Sequence, residues 1–375
     1  MRIGYDCLLL QQHRFGVGNC IAQQAEALVR TGAGHDLILY GHDPFPHVNL
    51  SNTAGAARVS LVRVTTLTQW RIGRILWEQL VLRGRAHRDA LDLLHCPAYV
   101  MPVAASVPVV LNVYDLLALS RPELCAPMNR RHFELMLPWS IRRARRVVVP
   151  SRAVRDQVRE RFAVADGRVE LIPPGIDACF AVEPAAADLA RVKQRYELAE
   201  PFVLFVGMWE PKKNLARLID AYRIAGERRE LAGELVLAGG DGWGDVFTGR
   251  RSVPGVRQLG FVPLEDLRAL YGLARVLAFP SLAEGFGLPV LEAMASGLPV
   301  VCSDVPALLD ADPNAAIRVD PLSVDSIATG LARAWGDEPV RTELISRGRT
   351  AAARFSWDES ARRIWRVYAE VVDDV

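Results

Sequence analysis

Short apolar runs alternate with stretches of helical periodicity along almost the whole chain. In the first half, the runs at 2–9, 36–41, 59–66, 92–96, 108–114, 146–150 and 169–172 are rich in Val, Leu and Ile, as strands buried on both faces are. Between them, residues 18–31, 70–88, 128–145 and 152–162 carry apolar positions at helical spacing. A second series follows, with strands predicted at 202–206, 234–238, 256–260, 276–280 and 299–303 and helices at 214–225, 265–274 and 289–296. Such alternation predicts doubly wound parallel sheets of the α/β class. Leu171-Ile172-Pro173-Pro174-Gly175-Ile176-Asp177 separates the two series, and its prolines and glycine mark an interdomain hinge. Near the end of the chain Trp357, Ala361, Ile364, Trp365 and Tyr368 predict an amphipathic helix. The expected organisation is one Rossmann-like domain over 1–173, to which a C-terminal helix at 358–375 returns, and a second over 174–357. Sheets of this kind bind ligands beyond the carboxyl ends of their strands, so a cleft between two facing domains is the expected site.

Composition narrows the function. At 375 residues the chain is too long for one ordinary core. A formal net charge of +2 gives no pull toward nucleic acid, and none is expected as a partner. The six cysteines are scattered without a C-x-x-C pair, which disfavours a zinc site or a disulfide framework. No apolar run approaches the roughly 20 residues of a membrane span, and MRIGYDCLLL reads as a first strand and not as a signal peptide. A cytoplasmic protein is the expectation.

The densest chemistry lies between Val276 and Ser303. A buried strand leads into a loop with Gly285 and Gly287, then a helix with Pro289 at its first position and Gly297 just past its end. A glycine-rich loop feeding a helix N-terminus presents backbone N–H groups and a positive dipole end, which suits a diphosphate. Glu284 at the strand end and Glu292 one turn into the helix offer carboxylates that can each accept from two hydroxyls of a sugar or ribose. On these residues alone, a helix flanked by glutamates for dipole reasons is an equal reading.

The spacing Glu284-x7-Glu292 within E-G-F-G-L-P-V-L-E-A-M-A-S-G-L-P-V-V resembles the E-x7-E motif of the retaining family-4 glycosyltransferases, which have the GT-B fold. Gly207-Met208-Trp209-Glu210-Pro211-Lys212-Lys213-Asn214-Leu215 resembles that family's G-x-x-E-P-R-K-N-L loop. Leu259-Gly260-Phe261-Val262-Pro263 with Asp266-Leu267 and Leu270-Tyr271, the 171–177 hinge, and Trp77-Glu78-Gln79 have counterparts there too. The resemblance implies that Glu284 contacts the donor sugar near the reacting face. Gly285 and the backbone amides of Phe286, Gly287 and Leu288 contact sugar or diphosphate, Glu292 takes the ribose, and Gly207, Lys212 and Lys213 meet the diphosphate. A lysine in a strand-to-helix loop can also neutralise charge growing on a leaving group, whatever the family. No metal is expected, because the resemblance implies that Lys213 and the helix N-terminus replace it, and an Asp-x-Asp pair is taken to be absent.

In the first half, Phe15-Gly16-Val17-Gly18 resembles the family's G-I-G-R-Y loop, with Gly16 and Gly18 bordering the donor; Asn19 and Cys20 stand where an arginine and an aromatic are frequent. A dinucleotide fingerprint would need a third small residue where Ile21 stands. Asn112-Val113-Tyr114-Asp115-Leu116 resembles T-V-H-D-L, so Tyr114 replaces a histidine that lies against the donor sugar. The expected function is a retaining, metal-independent hexosyltransferase. It would move mannose or glucose, from GDP-mannose or UDP-glucose, to a hydroxyl of a glycan, lipid-linked or small-molecule acceptor. A catalytically weak nucleotide-sugar-binding subunit and a GT-B epimerase are the alternatives. The helix at 70–88, with Arg71, Arg74, Arg83, Arg85 and Arg88 among its apolar residues, leaves two readings open. It is either a solvated basic face over a core-packed side, or a peripheral contact with the inner face of the cell membrane.

Overall fold

The structure is a computed structural model, and it describes residues 1–10, 16–42, 56–250, 252–308 and 310–374. Its contacts divide the chain into two compact units, Met1–Gly175 with Ser356–Val375, and Ile176–Phe355.

Unit 1 holds a seven-stranded parallel sheet. Its strands are β1 (Arg2–Asp6), β2 (Asp36–Gly41), β3 (Arg58–Arg63), β4 (Leu93–Cys96), β5 (Val109–Asn112), β6 (Arg146–Val149) and β7 (Val169–Leu171), in the order β3-β2-β1-β4-β5-β6-β7. β4 and β5 are buried along their whole length, which is why they read as continuous apolar runs. The C-terminal helix Trp357–Asp373 packs in this unit on the helix Val17–Thr31. Trp365 Nε1 donates to the Leu28 carbonyl at 3.2 Å, its indole stacks on His35 at 4.6 Å, and Arg30 pairs with Asp358 at 2.6 Å.

Unit 2 holds a six-stranded parallel sheet. Its strands are β8 (Phe202–Val206), β9 (Glu234–Ala238), β10 (Val256–Gly260), β11 (Val276–Phe279), β12 (Val300–Ser303) and β13 (Ile317–Val319), ordered β10-β9-β8-β11-β12-β13. In both units the order runs outward in two directions from a central pair, β1/β4 and β8/β11. That is the topological switch point of a doubly wound sheet, where the carboxyl ends open a crevice.

Three local expectations need correction. Residues 70–88 form no single helix: an α-helical turn at Arg71–Leu76 passes through a π-helical turn at Trp77–Val81 into the helix Leu82–Arg88. The wide turn puts residues five apart on one face, so Trp77 and Leu82 are both buried. Trp70 at 76% exposure, Ile72 at 74% and Leu80 at 71% face solvent, so this apolar side is not packed in the core. The helix expected to open on Pro289 starts at Leu288 with Gly287 as its N-cap, so the proline takes the second position. Finally, β13 and the helices Val324–Gly336 and Glu338–Ala352 occupy a stretch to which no element is assigned above. Both helices begin on side-chain caps, Ser323 accepting from Ser326 N and Asp337 from Val340 N.

Candidate active site

At the carboxyl ends of the central strands of unit 2, two loops are tied together. The loop after β8 carries Gly207 to Asn214, and the loop after β11 carries Pro280 to Gly287. Leu282 N donates to the Lys212 carbonyl at 2.7 Å. Asn214 sits in the left-handed region at φ 62°, and its Nδ2 donates to the carbonyls of Pro280 at 3.0 Å and Pro321 at 2.7 Å. Asn214 therefore joins three segments, a role that its place in the motif did not reveal.

This stitching brings together two residues 71 positions apart: Lys213 Nζ lies 2.7 Å from Glu284 Oε1. Both side chains are about nine-tenths buried. The ammonium also sits 4.5 Å from the centroid of the Phe279 ring, whose π face attracts a cation. Burial pushes the Glu284 carboxyl up, but Lys213 and then Lys212 pull harder in the other direction, and the net shift is below the ordinary carboxylate value. Glu284 is thus held ionised. Lys212 takes a different setting, with its Nζ 3.7 Å from Glu210. Gly207 lies under the Lys213 side chain, and Gly239, at φ +150°, lets the loop after β9 approach it; a Cβ there would stand 2.0 Å from the Gly207 carbonyl oxygen.

Gly287 brings the second loop into the helix Leu288–Ala295 at φ +97°, and a Cβ on it would meet Leu308 at 2.2 Å. Among the described residues no side chain caps this N-terminus and no acidic residue occupies its first turn, so the positive end of its dipole is not neutralised there; Pro289 has no N–H, and Val290 N donates to the Gly287 carbonyl at 3.0 Å. Gly285 is half-buried beside Glu284, and Phe286 packs its ring edge-to-face on Phe355 at 5.6 Å. Glu292, on the same helix, accepts from the hydroxyl of the fully buried Tyr271 at 2.9 Å. Burial raises its carboxyl to about 7, the Tyr271 hydrogen bond opposes that rise, and Asp177 adds to it. Tyr271 is a polar partner that the reading of the motif passed over.

An Asp-x-Asp triplet does occur, at Asp310-Ala311-Asp312, contrary to expectation. It belongs to a turn in which Asp312 Oδ1 accepts from Asn314 N at 2.9 Å. Among the described residues no three His, Cys, Asp or Glu side chains come together as a metal site.

In unit 1, Gly16 at φ 48° caps the helix Val17–Thr31 and Gly18 lies in its first turn; Phe15 lies outside the described residues. Further along that helix, Cys20 and Gln24 line a cavity of about 10 Å³ with Asn112 and Tyr114. Tyr114, just beyond β5, is half-buried, and its hydroxyl oxygen accepts from Asn112 Nδ2 at 3.2 Å. Burial pushes its phenol well above the ordinary value, so it stays protonated. Asp115 caps the next turn, accepting from Leu117 N at 3.0 Å, and also accepts from the Tyr99 hydroxyl at 3.0 Å.

Known proteins share this arrangement of sequence and fold. The family described as Glycosyltransferase Family 4 matches residues 16–179, and the one described as Glycosyl transferases group 1 matches residues 200–337. The O-antigen chain mannosyltransferase B of Escherichia coli is 31% identical over 291 residues, 76% of each chain. The D-inositol 3-phosphate glycosyltransferase of Salinispora arenicola is 31% identical over 326 residues, 78% of this chain and 72% of that one. The crystal structure of Anabaena Alr3699/HepE in complex with UDP and glucose superposes with a TM-score of 0.75 at 19% identity, covering 99% of this chain and 100% of that one. Sequence relatives at this identity and coverage, with the fold to match, establish that the chain belongs to glycosyltransferase family 4, as a hexosyltransferase with the GT-B fold of two Rossmann-like domains.

Proposed function

We propose that the protein transfers a hexose from a nucleoside-diphosphate sugar to an acceptor hydroxyl, with retention of configuration and without a metal ion. The observation that carries this reading is the buried Lys213–Glu284 pair, set between a glycine-shaped loop and an uncapped helix N-terminus. A buried ion pair contributes little net stability against its desolvation, so its retention favours a role in chemistry. On this reading Lys213, the backbone amides of Phe286, Gly287 and Leu288, and the positive dipole end of the helix Leu288–Ala295 offset the charge that grows on the departing diphosphate. Glu284 keeps Lys213 aimed and hydrogen-bonds hydroxyls of the donor sugar, while Glu292 accepts from the ribose. The donor phosphate oxygen takes the acceptor proton, so the protein mainly positions substrates and stabilises charge. The mannosyltransferase relative argues for mannose, carried as GDP-mannose, and the UDP and glucose bound by HepE argue for UDP-glucose. The O-antigen relative argues for a glycan acceptor. A panel of nucleotide sugars, assayed for consumption with and without EDTA, tests the reading. Consumption of at least one donor at an unchanged rate in EDTA is expected; loss in EDTA that Mn²⁺ or Mg²⁺ restores would remove the metal-free step.

Trp70, Ile72 and Leu80, exposed among arginines, favour peripheral contact with an anionic bilayer. Flotation with phosphatidylglycerol vesicles should be reduced by a Trp70→Ser, Leu80→Ser double variant. Equal flotation of the variant and the parent protein would set this contact aside.

A further inference from the structure

Behind Tyr114 a row of neutral polar groups crosses the core of unit 1, and it has a direction. Gln24 Oε1 accepts from Asn112 Nδ2 at 3.0 Å and lies 2.9 Å from the Tyr5 hydroxyl, whose one proton it shares with the Ile21 carbonyl at 3.2 Å. With its amide nitrogen on that side, Asn112 turns its carbonyl oxygen to His95, whose Nε2 lies 2.8 Å away. In this arrangement His95 carries its proton on Nε2, and its Nδ1 accepts from the hydroxyl of Tyr368 on the C-terminal helix. Both His95 and Tyr368 are fully buried, and burial lowers the imidazole to about 4, so the ring is neutral and holds one proton. The remaining proton of Asn112 Nδ2 goes to the oxygen of Tyr114. Among the described residues Asn112 is the only hydrogen-bond partner of that phenol. A phenol oxygen that accepts from the protein keeps its own proton to give elsewhere.

We propose that Tyr368, His95 and Asn112 are positioning residues that hold the Tyr114 hydroxyl as a hydrogen-bond donor toward an oxygen of the sugar substrate. This rests on the proposed transferase reading, in which Tyr114 meets a sugar. It gives the C-terminal helix a part in substrate choice. The helix supplies the terminal donor of a relay whose polarity decides whether Tyr114 offers a proton or a lone pair. A substrate with an acceptor oxygen at that point is favoured over one with only a donor to present.

Two experiments test it. The first needs no turnover: ¹⁵N shifts of the histidine rings at pH 7, with the His95 signals assigned by a His95→Asn variant. The Nε2–H tautomer is expected; the Nδ1–H tautomer reverses every bond in the row and overturns the proposal. The second is a double-mutant cycle of Tyr114→Phe and Asn112→Asp, read as kcat/KM for consumption of GDP-mannose and UDP-glucose, with Tm recorded for each variant. Asp at 112 keeps an acceptor for His95 but offers Tyr114 a carboxylate oxygen, which draws the phenol proton inward. Each single change should lower kcat/KM by roughly tenfold or less, the scale of one neutral hydrogen bond, and the double variant should fall no further than the singles. Multiplying effects would mean that Asn112 serves packing alone, which overturns the relay. If Tyr114→Phe equals the parent protein, the contact between Tyr114 and the sugar fails instead, and the two failures are distinct. Should Asn112→Asp not fold, Tyr368→Phe replaces it, because it removes the terminal hydroxyl and keeps the ring; its effect on kcat/KM should vanish in the Tyr114→Phe background.

Discussion

Around Lys213 the protein holds full charges out of water, whereas the row of groups behind Tyr114 is neutral throughout. In unit 2 an ammonium and a carboxylate share a buried contact of 2.7 Å, backed by a ring face and a second lysine. In unit 1 a histidine, an asparagine, a glutamine and three tyrosines are bonded in a row, with the histidine ring held neutral. On the proposed reading, the difference follows from what each place would meet. A diphosphate brings charge that has to be balanced, and a preset cation with a preset counter-ion does so without reorganising solvent. A sugar face brings hydroxyls, and neutral donors and acceptors in a fixed order can tell one arrangement of hydroxyls from another.

The largest expected effect breaks the charged side of that contrast. Glu284→Gln keeps a hydrogen-bond acceptor for Lys213 but removes the charge. Turnover should fall by about 10²–10³, with donor affinity changed far less. Lys213→Met leaves Glu284 buried and unpaired, so it should lower stability as well, by about 3–5 kcal/mol, the usual penalty for breaking one side of such a pair. Steady-state kinetics and urea melts on the two variants check this. A Glu284→Gln enzyme with near-parental turnover would mean that the pair is structural.

The two neighbourhoods also differ in how far they could be read from sequence. The loop after β11 is written locally: Gly285, Gly287, Pro289 and Gly297 set a loop, a helix start and a helix end within thirteen residues, and the structure keeps that order. What local pattern could not say is which of two adjacent lysines turns inward. Lys212 and Lys213 are alike in sequence, yet only Lys213 is buried, because its partner comes from a loop 71 residues away. The relay behind Tyr114 is less local still, since His95 and Tyr368 are 273 residues apart. Nothing in the spacing of Trp365 and Tyr368 distinguishes a core tyrosine from one whose hydroxyl is bonded to a histidine. The π-helical turn at Trp77–Val81 was hidden for a related reason: one added residue per turn shifts the apolar face without leaving a glycine or proline as a mark. The helix Val324–Gly336 was legible both in its cap, Ser323, and in Val324, Ile327, Ala328, Leu331 and Trp335 at helical spacing, whereas Glu338–Ala352, with weak apolar periodicity, was legible through its cap Asp337 alone.

A second prediction uses pH to separate the two glutamates of unit 2. Burial raises Glu292 to about 7, so it gains its proton within the working range, whereas Glu284 is held ionised by Lys213. A protonated carboxyl accepts fewer hydrogen bonds from ribose hydroxyls. As pH falls through about 7, donor KM should therefore rise, approaching tenfold for each further unit, while kcat at saturating donor changes less. Glu292→Gln, which does not titrate, should show a raised KM at pH 8 and a flat profile below it. If the parent protein and Glu292→Gln follow the same acid limb, Glu292 does not act on the donor.

The smallest expected effect belongs to Tyr271, and it sharpens the same point. Its hydroxyl donates to Glu292 at 2.9 Å, and this bond is the influence that lowers the carboxyl against burial. Tyr271→Phe keeps the ring in its buried place and removes only that donor. A hydrogen bond to an ionised group is worth about 1.5–3 kcal/mol when formed, but part of it is recovered when the carboxyl is neutral, so the net preference should be about 1 kcal/mol. Since one pKa unit corresponds to about 1.4 kcal/mol, the acid limb of kcat/KM for the donor should move to higher pH by somewhat less than one unit. At pH 8.5, where Glu292 is ionised in both proteins, the variant should differ from its parent only slightly; at pH 7 it should be several-fold weaker toward the donor. The sign matters more than the size. Loss of a purely structural hydroxyl would lower activity evenly across pH, and a limb that moved to lower pH would show that Tyr271 stabilises the protonated form of Glu292 and not the carboxylate.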